Sequence, residues 1–227
     1  MLYKDFSFAV RWLKCPECSR LLQRWFVRRS KKFIARHIGK NGRELVGISI
    51  VPYDPIVQPG RLRTIDIVNL QRRLKHALDA TEVGVALGGI DFSLDREEKY
   101  QPFWSAHFYL ITSTEDKEIL GKKLRRIYRK SEIIPRPVYF PPFRNKAYRR
   151  SYVLKMNFGR RIGYIELKNQ NGKIRKCRNT SSDKLRAAER LELFIYLDQI
   201  GLADRVIFRG AKPRVTSDRV TIEKCRR

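Results

Sequence analysis

Residues 103–110, Phe-Trp-Ser-Ala-His-Phe-Tyr-Leu, constrain the fold more than any other stretch of the chain. Trp104, Ala106, Phe108 and Leu110 fall on one parity, and Phe103, Ser105, His107 and Tyr109 on the other. A period of two belongs to a strand with one buried face and one face that collects polar groups. Upstream, Val83–Leu94 repeats the pattern, setting Ile90, Phe92 and Leu94 against Gly89, Asp91 and Ser93. The charged run Asp95–Gln101 between the two segments predicts a hairpin. A turn near residue 98 or 99 brings Asp91 nearly opposite His107, and both polar sets onto one open face.

The flanking segments extend this hairpin. Glu44–Val51 reads as a strand, closed by the turn-forming run Pro52–Gly60. Leu62, Ile65, Val68, Leu74 and Leu78 recur at helical spacing and predict a helix over 61–80. A second helix is expected over 115–130, with Thr114 as N-cap and carrying Ile119, Leu120, Leu124 and Ile127. Ile133–Phe140 is a short extended segment whose Pro135 and Pro137 restrict it to a sheet edge. The order β-α-β-β-α-β predicts an α+β fold, a ferredoxin-like antiparallel sheet with helices on one face. A helix over Arg144–Met156, a strand over Arg160–Leu167, a turn at Asn169–Gly172 and a helix over 182–200 follow. Leu185, Ala188, Leu191 and Ile195 are expected on one face of that last helix, with Gly201 as its stop. The tail 205–227 is expected to be loosely packed. Three regions result: a basic N-terminal arm over 1–42, a core over 43–168, and a C-terminal helical extension with a basic tail over 169–227. The later half of the arm, 19–38, reads as a helix with Leu22, Trp25, Phe26 and Phe33 roughly on one face.

Charge narrows the partners. The 227 residues carry 50 Lys+Arg against 23 Asp+Glu, a net charge of +27. Such a surface repels itself unless a polyanion neutralises it, so nucleic acid is the leading partner. A hydrophobic fraction of 42% supports a folded core rather than a disordered polycation. There is no apolar run of transmembrane length, and Met1 is not followed by a signal-peptide pattern. Four cysteines, two of them in a Cys-x-x-Cys, do not make a secreted disulfide framework. These features predict a cytoplasmic protein without a membrane.

Two constellations carry chemistry. In Tyr148-Arg-Arg-Ser-Tyr152-Val-Leu-Lys155, helical spacing places Tyr148, Tyr152 and Lys155 on one face. A tyrosine hydroxyl with a cation beside it can attack a phosphodiester; the plainer alternative is two rings packed on the sheet and a solvated lysine. His107 with Asp91 can hold a divalent cation, or can form an ordinary cross-strand hydrogen bond. Cys15-x-x-Cys18 is half a zinc knuckle, since structural zinc takes four ligands. Arg144, Lys146, Arg149, Arg150, Arg160 and Arg161 surround the tyrosines, where nucleic-acid phosphates would lie.

Taken together, these motifs resemble the HUH endonuclease superfamily, which includes rolling-circle replication initiators such as bacterial plasmid Rep proteins. Trp104-Ser-Ala-His107-Phe108-Tyr109-Leu resembles its metal-binding motif, with Tyr109 where a second histidine usually stands. Tyr148–Lys155 resembles the two-tyrosine form of its nucleophile motif, with Ser151 where a lysine is often found. Trp12-Leu-Lys-Cys15-Pro-Glu-Cys18 is similar to the zinc-bearing N-terminus of some members. The resemblance covers roughly residues 12–165 and implies single-stranded DNA binding and tyrosine-mediated nicking and joining. It further implies Mg²⁺ or Mn²⁺ held by His107 with Asp91, Tyr152 as nucleophile, Tyr148 as second tyrosine and a bacterial or plasmid-encoded host. With one histidine replaced, either a carboxylate substitutes for the missing ligand or the protein is a non-catalytic DNA-binding relative. A third reading is an RRM-like RNA-binding module in which Phe103 and Tyr109 stack bases.

Overall fold

In the computed structural model the described residues are 16–38, 43–97, 100–143, 146–155, 158–170, 173–201, 203–215 and 220–225. The hairpin of β3 (Ala86–Glu97) and β4 (Tyr100–Thr114) is its centre, with Ile90 opposite Phe108 and Asp91 opposite His107. Phe92, Leu94, Trp104, Ala106 and Phe108 are completely buried, as the two-residue period requires. Both strands run further than the alternation alone suggests, so Asp95 and Glu97 belong to β3 rather than to a turn.

Strands add on both sides of the hairpin. β1 (Glu44–Ile50) pairs antiparallel with β4, and the two-residue β5 (Val138–Tyr139) pairs antiparallel with β1. The order on this side is therefore β5-β1-β4-β3, and the short β2 (Ile56–Val57) also pairs with β4. The outer edge of β3 is divided. Its C-terminal part takes β6 (Arg160–Gln170) in parallel at Leu94–Arg96, and its N-terminal part takes β8 (Val206–Arg209) antiparallel at Ala86–Gly89. β7 (Lys173–Asp183) closes a long hairpin with β6, completing a mixed eight-stranded sheet. β9 (Ala211–Val215) and β10 (Val220–Lys224) form a separate hairpin.

Among the described residues the α-helices are α1 (Pro16–Phe33), extended by a π-turn over Ile34–Ile38, α2 (Ile67–Ala80), α3 (Lys117–Ile127), α4 (Ala147–Tyr152) and α5 (Ala187–Ile200). α5 supports the apolar face of the sheet. Tyr196 meets the Phe92 ring edge-on at 5.2 Å and donates to the Ile65 carbonyl at 2.7 Å, while Trp104 Nε1 donates to Glu192 at 3.0 Å. α4 lies on the polar face instead. A Cβ built on Gly89 would stand 2.3 Å from the Val153 carbonyl oxygen, so only a glycine lets the exit of α4 rest on β3. α1 backs α4: Gln23 Nε2 donates to the carbonyls of Ser151 (2.9 Å) and Leu154 (3.1 Å).

Several expectations need correction. Helices cover both faces of the sheet rather than one. The helix expected over 61–80 is a 3-10 turn at Leu62–Thr64 followed by α2, because Asp66 caps Asn69 N and starts a new helix there. Asp116, not Thr114, caps α3, accepting from Glu118 N and Ile119 N. On α5 the buried set is Leu193, Tyr196 and Leu197, with Leu191 and Ile195 exposed, and β7 occupies the chain up to Asp183. Gly201 does stop that helix, with φ 69°. The described part of the tail is not loose: Arg205, Ile207 and Ala211 are buried, and β8 belongs to the main sheet. The boundary expected at residue 168 therefore falls within the β6–β7 hairpin.

The close approach at Gly89 is testable. Gly89→Ala forces the Val153–Leu154 turn away from β3, which should lower stability by about 1–3 kcal/mol, read as a lower urea midpoint at unchanged m-value.

Candidate active-site cleft

On the polar face, β3 and β4 form the floor of a cleft of about 870 Å³, bounded by the 133–143 segment, α4 and the β6–β7 hairpin. Its floor presents the alternate residues of the two strands. His107 is 2% exposed, and its Nε2 sits 2.8 Å from Ser93 Oγ and 2.9 Å from Ser105 Oγ. Ser105 also donates to Asp95, whose Oδ2 is 3.9 Å from His107 Nε2. The carboxylate facing the imidazole is thus Asp95 rather than Asp91. Burial pushes the Asp95 carboxyl up, but the hydrogen bond and charge of His107, with Arg161 and Ser105, outweigh it and hold it below its ordinary value.

Asp91 stands directly opposite His107 on the ladder but turns elsewhere. It is 2% exposed; its Oδ1 accepts from Phe92 N, and its Oδ2 lies 3.6 Å from Lys155 Nζ. Burial raises its pKa, against the opposing charges of Lys155, Arg205 and His107. Arg205 is completely buried; it donates to the carbonyls of Ile90 (3.4 Å) and Lys155 (3.2 Å), in the gap that β6 and β8 leave along β3. A buried carboxylate is tolerable here because two cations flank it.

The tyrosines continue this network outward. His107 stacks on Tyr109 at 6.2 Å between ring centroids, and Tyr109 meets Tyr152 edge-on at 4.9 Å. Burial, then the charge of Asp91, then Tyr152 and a hydrogen bond with it, hold the Tyr109 phenol well above its ordinary range. Tyr109 is therefore protonated at any working pH. Tyr152 is 50% exposed and lines the cleft together with Lys155, Arg149 and Arg161. α4 is shorter than the helix expected over Arg144–Met156: it stops at Tyr152, and Val153 and Leu154 turn inward. Lys155 accordingly reaches the cleft from the chain beyond the helix, not from its face. Tyr148 is 57% exposed and does not line the cleft; the guanidinium of Arg149 lies over its ring at 5.1 Å.

The arginine cluster divides. Arg149 and Arg161 face the cleft, and Lys146 is exposed at the start of α4. Arg150 is buried, donating to the Val27 carbonyl at 3.2 Å, and Arg160 is buried in a two-pronged pair with Glu189. That pair, through its hydrogen bonds above all, holds Glu189 below the usual carboxylate range. Both arginines are packing elements, which withdraws them from the expected nucleic-acid surface. Phe103 is 4% exposed, too enclosed to stack on a base, and Tyr109 lies beneath Tyr152, so the RRM-like use of these rings lacks its surface. Arg144, Cys15 and the side chain of Cys18 lie outside the described residues.

Neither a family model, nor a curated protein, nor a solved structure matches this chain. No described helix is long and apolar enough to cross a membrane.

Ser93, Asp95 and Arg205 are the site residues that sequence reading underweights. Extending the 89-91-93 alternation by one step finds Asp95; nothing in the local sequence around Arg205 points to the cleft. The lowered Asp95 pKa has a measurable consequence. Its contribution to stability is complete above its unfolded value of 3.8 and is lost as pH falls from there through the folded pKa. Asp95→Asn should flatten the stability–pH profile between about pH 5 and 2 while costing about 1–3 kcal/mol at neutral pH, measured by urea denaturation across that range.

Proposed function

We propose that the cleft binds a single strand of DNA and that Tyr152 attacks a phosphodiester in it, nicking and rejoining strands in the manner of HUH endonucleases. The antiparallel order β5-β1-β4-β3 supports a ferredoxin-like core for this chemistry, with β6, β7 and β8 as additions. The observation that carries the reading is one contact series: a half-exposed phenol on α4, a second phenol beneath it, and a buried imidazole beneath that. The helix and the central strands thereby deliver their reactive groups to one place.

Tyr152 Oη attacks phosphorus, an O–P bond forms, and the bond to the 3′ oxygen breaks. The products are a 5′-phosphotyrosine and a 3′-hydroxyl; the phenol proton leaves to solvent and the departing oxygen takes one up. Tyr109, kept protonated, meets Tyr152 edge-on and would donate to its oxygen as negative charge develops there. Arg149, Arg161 and Lys155 neutralise the phosphates that cross the cleft.

A divalent cation fits the donors present. His107 Nε2 and an Asp95 oxygen stand 3.9 Å apart and could share one ion once the Ser93 and Ser105 hydroxyls that bond Nε2 are displaced, while Asp91 is engaged by Lys155. Among the described residues no group of three or more His, Cys, Asp and Glu side chains could hold a metal. The remaining coordination would come from water and substrate phosphate, a common arrangement for Mg²⁺. His107 and Asp95 would hold Mg²⁺ or Mn²⁺, which when bound polarises a phosphoryl oxygen.

Incubation with labelled single-stranded oligonucleotides and Mn²⁺ should yield an adduct that survives SDS. Tyr152→Phe should abolish it and Tyr148→Phe should retain it. Absence of any adduct across a broad oligonucleotide pool, with binding intact, would leave a non-catalytic DNA-binding protein. Tyr109→Phe should slow adduct formation about 10- to 100-fold, as expected for loss of one hydrogen bond to a charged oxygen.

A further inference from the structure

A second concave surface lies behind the cleft, between α1 and β10, with a volume of about 630 Å³. Arg24, Arg28, Arg29, Lys32 and Arg36 line it, and all five side chains are exposed. Arg24, Arg28 and Lys32 follow one another at four-residue intervals, about 6 Å apart along the helix, and Arg36 extends the row into the π-turn. Residues 18–43 contain no aspartate or glutamate, and among the described residues none of these five cations pairs with a carboxylate. Concentrating like charges in one row is unfavourable unless an anion of matching period lies along it.

We propose that this groove is a second nucleic-acid site, which grips the sugar-phosphate backbone of a DNA duplex. The two large rings at the groove favour a duplex over a single strand, and the third, exposed His37, already lies tilted against Phe33 at 4.9 Å between ring centroids. Phe33 is 3% exposed and Trp25 is packed against the core, so neither projects as a platform for unpaired bases. What the groove offers is a straight row of cations, suited to a regular backbone read without regard to sequence. It shares no lining residue with the cleft. The two are mechanically joined, since Gln23 on α1 bonds the carbonyls of Ser151 and Leu154 around Tyr152. That the duplex would be the one flanking the strand presented to Tyr152 rests on the nicking proposal; duplex binding itself does not.

The test is fluorescence anisotropy with a labelled blunt duplex of about 20 base pairs, between 50 and 200 mM salt. The triple variant Arg24→Gln/Arg28→Gln/Lys32→Gln should bind the duplex more weakly at 50 mM. Its log–log salt slope should be shallower by about 2.7, so that raising salt over this range weakens the parent about 40-fold more than the variant. The charge-keeping variant Arg24→Lys/Arg28→Lys should retain the parent slope, which separates charge from folding. The inference is overturned if the triple variant keeps the parent slope, or if Arg149→Gln/Arg161→Gln in the cleft removes the duplex slope instead. It is equally overturned if the triple variant loses more slope on a single-stranded oligonucleotide of the same length than on the duplex. Failure to form a covalent adduct bears on the cleft and leaves this result standing.

Discussion

Asp91, lying beneath the exit of α4, must find partners for its charge without water. A carboxylate enclosed in a sheet is tolerated only when cations and donors approach it, and the chain supplies them from distant segments. Lys155 comes from the turn after α4, and Arg205 from the 3-10 turn that leads into β8. Arg205 in turn bonds the Lys155 carbonyl, so the three residues hold the central hairpin, the α4 exit and the C-terminal strand together. Placing Tyr152 over Tyr109 depends on this tie, because the same turn sets the register of α4 over the sheet.

The hairpin was legible because its signal is local and strictly periodic. Trp104, Ala106 and Phe108 had only one way to be buried together, and the opposite parity then had to gather Ser105, His107 and Tyr109. What escaped reading has two physical causes. Where polar residues continue a strand, as Asp95 and Glu97 do, composition suggests a turn although the pairing persists. Arginines raise the other difficulty. Arg149 and Arg161 face the cleft while Arg150 and Arg160, their immediate neighbours, are buried, and that choice is made by Val27 and Glu189, remote in sequence. Amphipathic spacing misleads similarly on α5, whose buried side is selected by Phe92 and Ile65 rather than by the helix's own pattern.

The position of Tyr109 changes how the resemblance to HUH enzymes is to be understood. A histidine there would offer a second imidazole nitrogen to a metal. A half-buried phenol edge-on to Tyr152 offers a proton donor instead, while Asp95 supplies the anionic oxygen next to His107. The proposed chemistry therefore distributes its electrostatic support differently, with more of it carried by hydrogen bonding to the attacking oxygen.

The divided outer edge of β3 bears on how the molecule is made. Gly88 has no ladder partner on that side until Ile207 arrives, and Leu94 must await Arg160. During synthesis the central hairpin emerges long before either neighbour, exposing unpaired amide and carbonyl groups along an apolar strand. Contacts of such long sequence separation slow folding. The last strands thus act as a closing seam, and a nascent chain stalled before residue 206 would present an adhesive margin to whatever lies near the ribosome.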